Sequence, residues 1–176
     1  MEFDVVNQKL TEALREVLDN DQHLLKYDIN EPAISHRLAV YLDSKFPGFN
    51  VDCEYNGNID ADSGRKYIHI LKRRAKQLGI LKEGEEEQEF LYRCVLPDII
   101  VHKRGHNGSE NNLLIIEVKK SSNSNKGDWD AEKLSRFTSS EYENSFNYRY
   151  GVFVKFTVEK ELNYSIQWYQ NGQIFQ

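Results

Sequence analysis

The run Leu113-Leu114-Ile115-Ile116-Glu117-Val118-Lys119 constrains this chain more than any other segment. Its first four residues are apolar on both sides, the pattern of a central strand covered on both faces. Alternation then places Glu117 and Lys119 together on one face, two residues apart. A charge taken into such a layer is costly unless it is paired or binds a metal. The chain must therefore build a sheet with cover on both faces. It must also compensate two charges at the end of a central strand.

The rest of the sequence supplies that cover. Phe3, Val6, Leu10, Leu14, Val17 and Leu18 recur at three- and four-residue steps, so an amphipathic helix is expected over 3–18, ended by Asn20-Asp21. A second helix is expected from Asn30 to Lys45, with Asn30 as N-cap, Pro32 in the first turn and a stripe of Ile34, Leu38, Tyr41 and Leu42. Asn50–Tyr55 reads as a strand. Ile68, Leu71, Ala75 and Leu78 predict a helix from Arg65 to Lys82, so 57–90 is expected to be a helical insertion. Phe90–Lys103 reads as one strand, joined to the 113–119 strand by a turn at 104–111. Asp128 or Asp130 caps a further helix. Tyr148–Val158 and Tyr164–Tyr169 read as strands, and Asn171-Gly172 as a hairpin turn. The expected fold class is α/β: a single domain over 1–176, with a mixed central β-sheet flanked by helices.

Charge sets limits on function. There are 23 Lys+Arg against 28 Asp+Glu, a net charge of -5. That excludes a polybasic nucleic-acid coat but not an enzyme with one local basic surface. The charges are segregated. Arg65, Lys66, Lys72, Arg73, Arg74, Lys76 and Lys82 precede the acidic run Glu83, Glu85, Glu86, Glu87 and Glu89. The basic stretch either follows a phosphate backbone or pairs with the acidic run. The start Met1-Glu2-Phe3-Asp4 carries no apolar signal region, and no apolar run approaches a membrane span. A cytoplasmic protein with no membrane partner is expected, with Cys53 and Cys94 as reduced thiols.

Asp98 repeats the anomaly of Glu117, because it opens the apolar run Ile99-Ile100-Val101. The turn at 104–111 folds Asp98 back toward residues 117–119. Directly opposed residues of an antiparallel pair share a face, so Asp98 joins Glu117 if it pairs opposite Glu117 or Lys119, and not if it pairs opposite Val118. The loop leaves that one-residue choice open. In the first case two carboxylates and an ammonium converge. Two hard oxygen ligands suit Mg²⁺ or Mn²⁺, and a nearby lysine suits orienting or deprotonating a water, or offsetting charge at phosphorus.

Leu96-Pro97-Asp98, an 18-residue gap, then Glu117-Val118-Lys119 resembles the signature of the PD-(D/E)XK nuclease superfamily, which includes type II restriction endonucleases and archaeal Holliday junction resolvases. The likeness runs from about Asn30 to Thr157 through the order of elements. It implies a restriction-endonuclease-like core (α-β-β-β-α-β) with the helical insertion between the first and second strands. It also implies that Asp98 and Glu117 hold the divalent metal, that the Val118 carbonyl is a further ligand, and that Lys119 assists the nucleophilic water. Many members carry a glutamate on the helix before the sheet. Glu31, ahead of Ala33-Ile34-Ser35-His36-Arg37-Leu38, is the matching position, although an acid there also suits the helix dipole.

Lys120, Lys126, Lys133 and Arg136 follow the motif. Superfamily members often aim a polar or basic residue from this helix at the scissile phosphate, which points to Lys133. Asp130, three residues earlier, reads more simply as its surface ion-pair partner. The five histidines show no zinc-ligand spacing, and His102 and His106 are expected on the surface beside the turn. No phosphate-binding glycine loop or nucleophile elbow is present. The expected activity is Mg²⁺- or Mn²⁺-dependent phosphodiester hydrolysis in nucleic acid, with DNA the expected substrate and Lys120, Lys133, Arg73 and Arg74 as expected contacts. The alternative is an inactive nuclease-fold module that binds nucleic acid or protein. A homodimer stays open, since nucleases cutting both strands often pair.

Overall fold

Asn30 accepts the Ala33 amide at 3.0 Å and so starts the helix that carries the first acid of interest. This is α3 (Glu31–Lys45), which follows α1 (Phe3–Asn20) and a short α2 (Gln22–Lys26). The computed structural model describes residues 1–58, 62–85, 87–124, 127–140 and 146–176. Glu86 and Lys126 of the charge runs lie outside the described residues. Helix α1 buries Val6, Leu10, Leu14 and Val17 of the expected stripe, with Ala13 beside them, while Phe3 and Leu18 are partly buried.

Among the described residues the strands form two sheets. The larger contains β1 (Asn50–Cys53), β4 (Ile99–His102), β5 (Asn112–Lys120), β6 (Tyr150–Thr157), β7 (Asn163–Gln170) and β8 (Gln173–Ile174), in the order β1-β4-β5-β6-β7-β8. Its pairs are antiparallel except β5 with β6, which run parallel. A parallel pair needs a crossover, and α5 (Asp128–Thr138) supplies it. Gly127 makes that entry possible. Its φ is +81°, and a Cβ there would stand 2.7 Å from the Phe153 ring.

Strand β5 is central, and its two faces meet different layers. Leu114, Ile116 and Val118 pack with α1 and α3, whereas Ile115 packs with Leu134 and Phe137 of α5. The chain is thus a single α/β domain with a mixed sheet between helical layers, as expected.

The insertion differs from expectation. The helix predicted over Arg65–Lys82 is instead a strand, β2 (Tyr67–Leu71), followed by a short α4 (Lys72–Gln77). The strand predicted over Phe90–Lys103 is broken into β3 (Phe90–Cys94) and β4. Strands β2 and β3 pair with each other as a two-stranded ribbon. Both corrections have local causes. Ile68 and Ile70 are buried and alternate with half-exposed Tyr67, His69 and Leu71, a period of two that overlaps the helical pattern of Ile68, Leu71, Ala75 and Leu78. Pro97 has no N–H to give a ladder, so pairing lapses before Asp98. The insertion is therefore a β-ribbon with one helical turn, not a helical element. It covers the α5 side of the sheet through Ile68, Ile70 and Leu91.

Candidate active site

The register answers the one-residue question. Ile99 pairs with Ile116 and Ile100 with Ile115, which carries Asp98 opposite Glu117. Asp98 lies just before β4, and its Oδ2 accepts the Val118 amide at 2.7 Å. The N–H and C=O of one strand residue leave on the same side, so the Val118 carbonyl faces the Asp98 edge. Glu31, in the first turn of α3, reaches the same strand end. Its Oε1 accepts the Lys120 amide at 3.0 Å and its Oε2 stands 3.4 Å from Lys119 Nζ. Because Asn30 already caps α3, the Glu31 carboxylate is free to serve β5 instead.

Helix α5 completes the cluster. Lys133 Nζ donates to Glu117 Oε2 at 2.6 Å and stands 2.9 Å from Asp130 Oδ1. Lys119 Nζ is 3.1 Å from Asp130 Oδ2. Asp130 is thus no surface partner: it and Lys133 are both buried, and Asp130 bridges the two lysines. The sequence carried a signal for this. Asp130, Lys133, Leu134 and Phe137 share the three- and four-residue spacing of α5's buried stripe.

Burial shapes the chemistry. Glu117 is fully buried, and loss of water pushes its carboxyl well above the ordinary range, against the pull of the Lys133 ammonium and helped by the negative charges of Asp98 and Asp130. Asp98 is raised for the same first reason, with the Val118 amide working against it. Burial acts to lower both lysines, but their carboxylates prevail. Lys119 is raised through Asp130 and Glu31, and Lys133 through Glu117 and Asp130. Both lysines are therefore held as cations.

The donor set fits a divalent ion of the Mg²⁺ type. Glu117 Oε1 is buried and has no hydrogen-bond partner, so one oxygen of a buried carboxylate is unspent. Asp98 and the Val118 carbonyl face the same strand end. Among the described residues, no three His, Cys, Asp or Glu side chains form a ready-made cage. Mg²⁺ rarely needs one, since it keeps several waters and takes one or two carboxylates plus substrate oxygens. A cavity of about 130 Å³ lined by Pro32, Ser35, Cys53, Glu54 and Asp98 adjoins this end.

Other expected residues are placed differently. Lys120 is committed to Asp28, 2.7 Å from its Oδ1. Arg73 is exposed on α4, and Arg74 pairs with Glu132 of α5 at 2.8 Å. Glu85 of the acidic run is gripped by Arg93, which lies outside the basic stretch, and Arg74 of the basic stretch pairs with α5 instead. His102 is buried, contrary to expectation. It stands 2.9 Å from Asp52 Oδ2, because β1 pairs beside β4 and supplies that acid. His106 is exposed. The cysteines are free thiols. Among the described residues no helix is long and apolar enough to cross a membrane.

Comparison with known proteins returned no matching family model, curated protein or solved structure.

Proposed function

We propose that this chain is a metal-dependent nuclease with a restriction-endonuclease-like core, hydrolysing phosphodiester bonds in nucleic acid, with DNA as its substrate. The observation that carries this reading is the convergence of Asp98 before β4 and Glu31 of α3 on Glu117 and Lys119 at the end of β5. The order α3-β1-β4-β5-α5-β6 supports it, since it follows the α-β-β-β-α-β core once the ribbon is set aside.

A bound Mg²⁺ or Mn²⁺ supplies Lewis acidity at the phosphate and lowers the pKa of a water. Asp98, Glu117 and the Val118 carbonyl are the residues that would hold it. Lys119, kept protonated between Asp130 and Glu31, serves as an oriented cation beside the attacked phosphate and not as a base. Asp130 fixes where that cation points, and Lys133 offsets the buried charge of Glu117. Glu31 tethers the Lys120 backbone and so fixes the end of β5.

The test is a cleavage assay with Mg²⁺ or Mn²⁺ on duplex, single-stranded and branched DNA and on RNA, beside Asp98→Asn and Lys119→Met. Cleavage by the wild type alone is expected. Equal cleavage by all three proteins would trace the activity to contamination and end this reading. One observation favours a second reading, a nuclease-fold binding module without turnover: the Lys133 ammonium already supplies a cation to Glu117. Nucleic-acid binding with no heat of Mn²⁺ binding in calorimetry would select it.

A further inference from the structure

The two faces of the ribbon differ in exposure. Its inner residues Ile68, Ile70 and Leu91 are at most 1% exposed, whereas Phe90 and Tyr92 on the other face are 42% and 62% exposed. The register sets His69 opposite Tyr92, and the two rings stack at 4.6 Å and 6°. Phe90 lies 4.6 Å from the same imidazole on its diagonal. His69 thus lies between the two exposed rings, and the outward sides of Phe90 and Tyr92 are left open on the ribbon.

Cations border them. Strand β2 runs directly into α4, whose Arg73, Arg74 and Lys76 are exposed. Of the acids that follow, Glu85 is turned onto Arg93 and the Lys82 amide, whereas Glu83, Glu87 and Glu89 are exposed on the approach to Phe90 and would repel a phosphate there. The platform is also tied to the candidate active site. Arg136 of α5 donates to the His69 carbonyl at 2.7 Å and to Glu132 at 2.7 Å, and Glu132 holds Arg74 at 2.8 Å. Along the chain, Tyr92 precedes Asp98 by six residues, a reach of at most about 20 Å.

Exposed aromatic faces beside phosphate-facing cations are the means by which proteins hold unpaired bases, which stack on any ring face while the backbone follows the charge. A duplex offers no free base faces to such a surface. We infer that the β2–β3 ribbon, with the adjoining α4, is a docking platform for single-stranded nucleic acid leading into the active site. The inference rests on the nuclease reading for the strand's destination, but not for its binding.

The experiment is fluorescence anisotropy of the full-length protein in EDTA, with a fluorescein-labelled oligo-dT strand and with a duplex of equal length. The single strand should bind more tightly. Phe90→Ala and Tyr92→Ala should each weaken it by about 5-fold or more, and Tyr92→Phe should restore it. Arg73→Gln and Lys76→Gln should each lower the salt slope by about one phosphate contact. Absent binding, equal binding of duplex, or single-strand binding indifferent to the ring substitutions would overturn the platform. So would ring substitutions that change only the mass by light scattering, which would make the ribbon an interface between copies. The two readings separate cleanly. Ring-dependent binding without cleavage sinks only the nuclease, and cleavage with ring-independent binding sinks only the platform.

Discussion

Two clusters of charge, each built around a buried side chain, sit on the ribbon-covered side of the sheet, at opposite ends of β4. One joins Asp98, Glu117, Lys119, Asp130 and Lys133. The other joins Asp52, His102 and Arg104, with Tyr55 packed 4.9 Å from the His102 ring and Lys66 over the Tyr55 ring. The second cluster is closed. Asp52 takes His102 on one oxygen and is forked by Arg104, so its accepting capacity is spent on protein. The first is open in that sense. It holds three carboxylates, and one carboxylate oxygen of Glu117 is without a donor. A cavity adjoins each cluster, at Asp98 in the first and at Asp52 in the second. Buried charge alone therefore does not mark a site. What separates the first cluster from the second is its unspent coordination capacity.

The largest test of this contrast is Lys133→Met. It leaves Glu117 without its buried cation, while Asp130 keeps Lys119, and should cost about 3–5 kcal/mol in denaturant unfolding. Adding Glu117→Gln should restore most of it. A cost below that of Asp52→Ala would break the comparison.

Asp98→Asn should reduce cleavage by at least about 100-fold. The neutral side chain still accepts the Val118 amide, so stability should shift by less than about 1 kcal/mol. Asp52→Ala should do the opposite. It leaves the buried His102 ring without its partner, while the exposed Arg104 turns to solvent, for a stability loss of about 1–3 kcal/mol, with the activity of the folded protein unchanged. Cleavage lost in both variants would remove the distinction between the clusters.

Acidity separates the clusters by sign. Asp98 and Glu117 are raised by burial, so the folded state takes up protons that the unfolded chain does not. Their contribution to stability is lost as pH rises through the folded pKa values. On the proposed function, protons would also compete with the divalent ion for the same oxygens. Acidification from about pH 8 to 5 should therefore weaken Mn²⁺ binding in calorimetry while these groups add to the stability of the metal-free fold.

The smallest expected effect is at the closed cluster. Burial lowers Lys66 to about 8, against the pull of Asp52. Above that pH the unfolded chain holds the extra proton, so this group adds stability as pH rises from about 8 toward the ordinary lysine value. Thermal melts should show that slope in the wild type and lose it in Lys66→Met.

Much of the open cluster was legible because charge on an apolar strand is hard to explain otherwise. Glu117 and Lys119 on one face followed from alternation, and the start of α3 followed from Asn30 and Pro32. Lys133 and Asp130 were half-legible, since their spacing matched the buried stripe while their chemistry argued for solvent. The ribbon was misread because Ile68, Leu71, Ala75 and Leu78 satisfy a helical period by coincidence, and β2 exists only because β3 pairs with it. His102 was misplaced because its acid, Asp52, lies fifty residues away in sequence.

The sequence by itself determined the two-sided cover of β5, the central place of that strand and the shared face of Glu117 and Lys119. Those are local consequences of backbone period and of the cost of burying apolar and charged groups. Only the tertiary structure decided that Asp98 stands opposite Glu117, that Glu31 crosses to the end of β5, and that two lysines share Asp130. Each of these rests on strand register or on contact between distant elements, and a one-residue slip that local sequence tolerates would have moved them all to other faces.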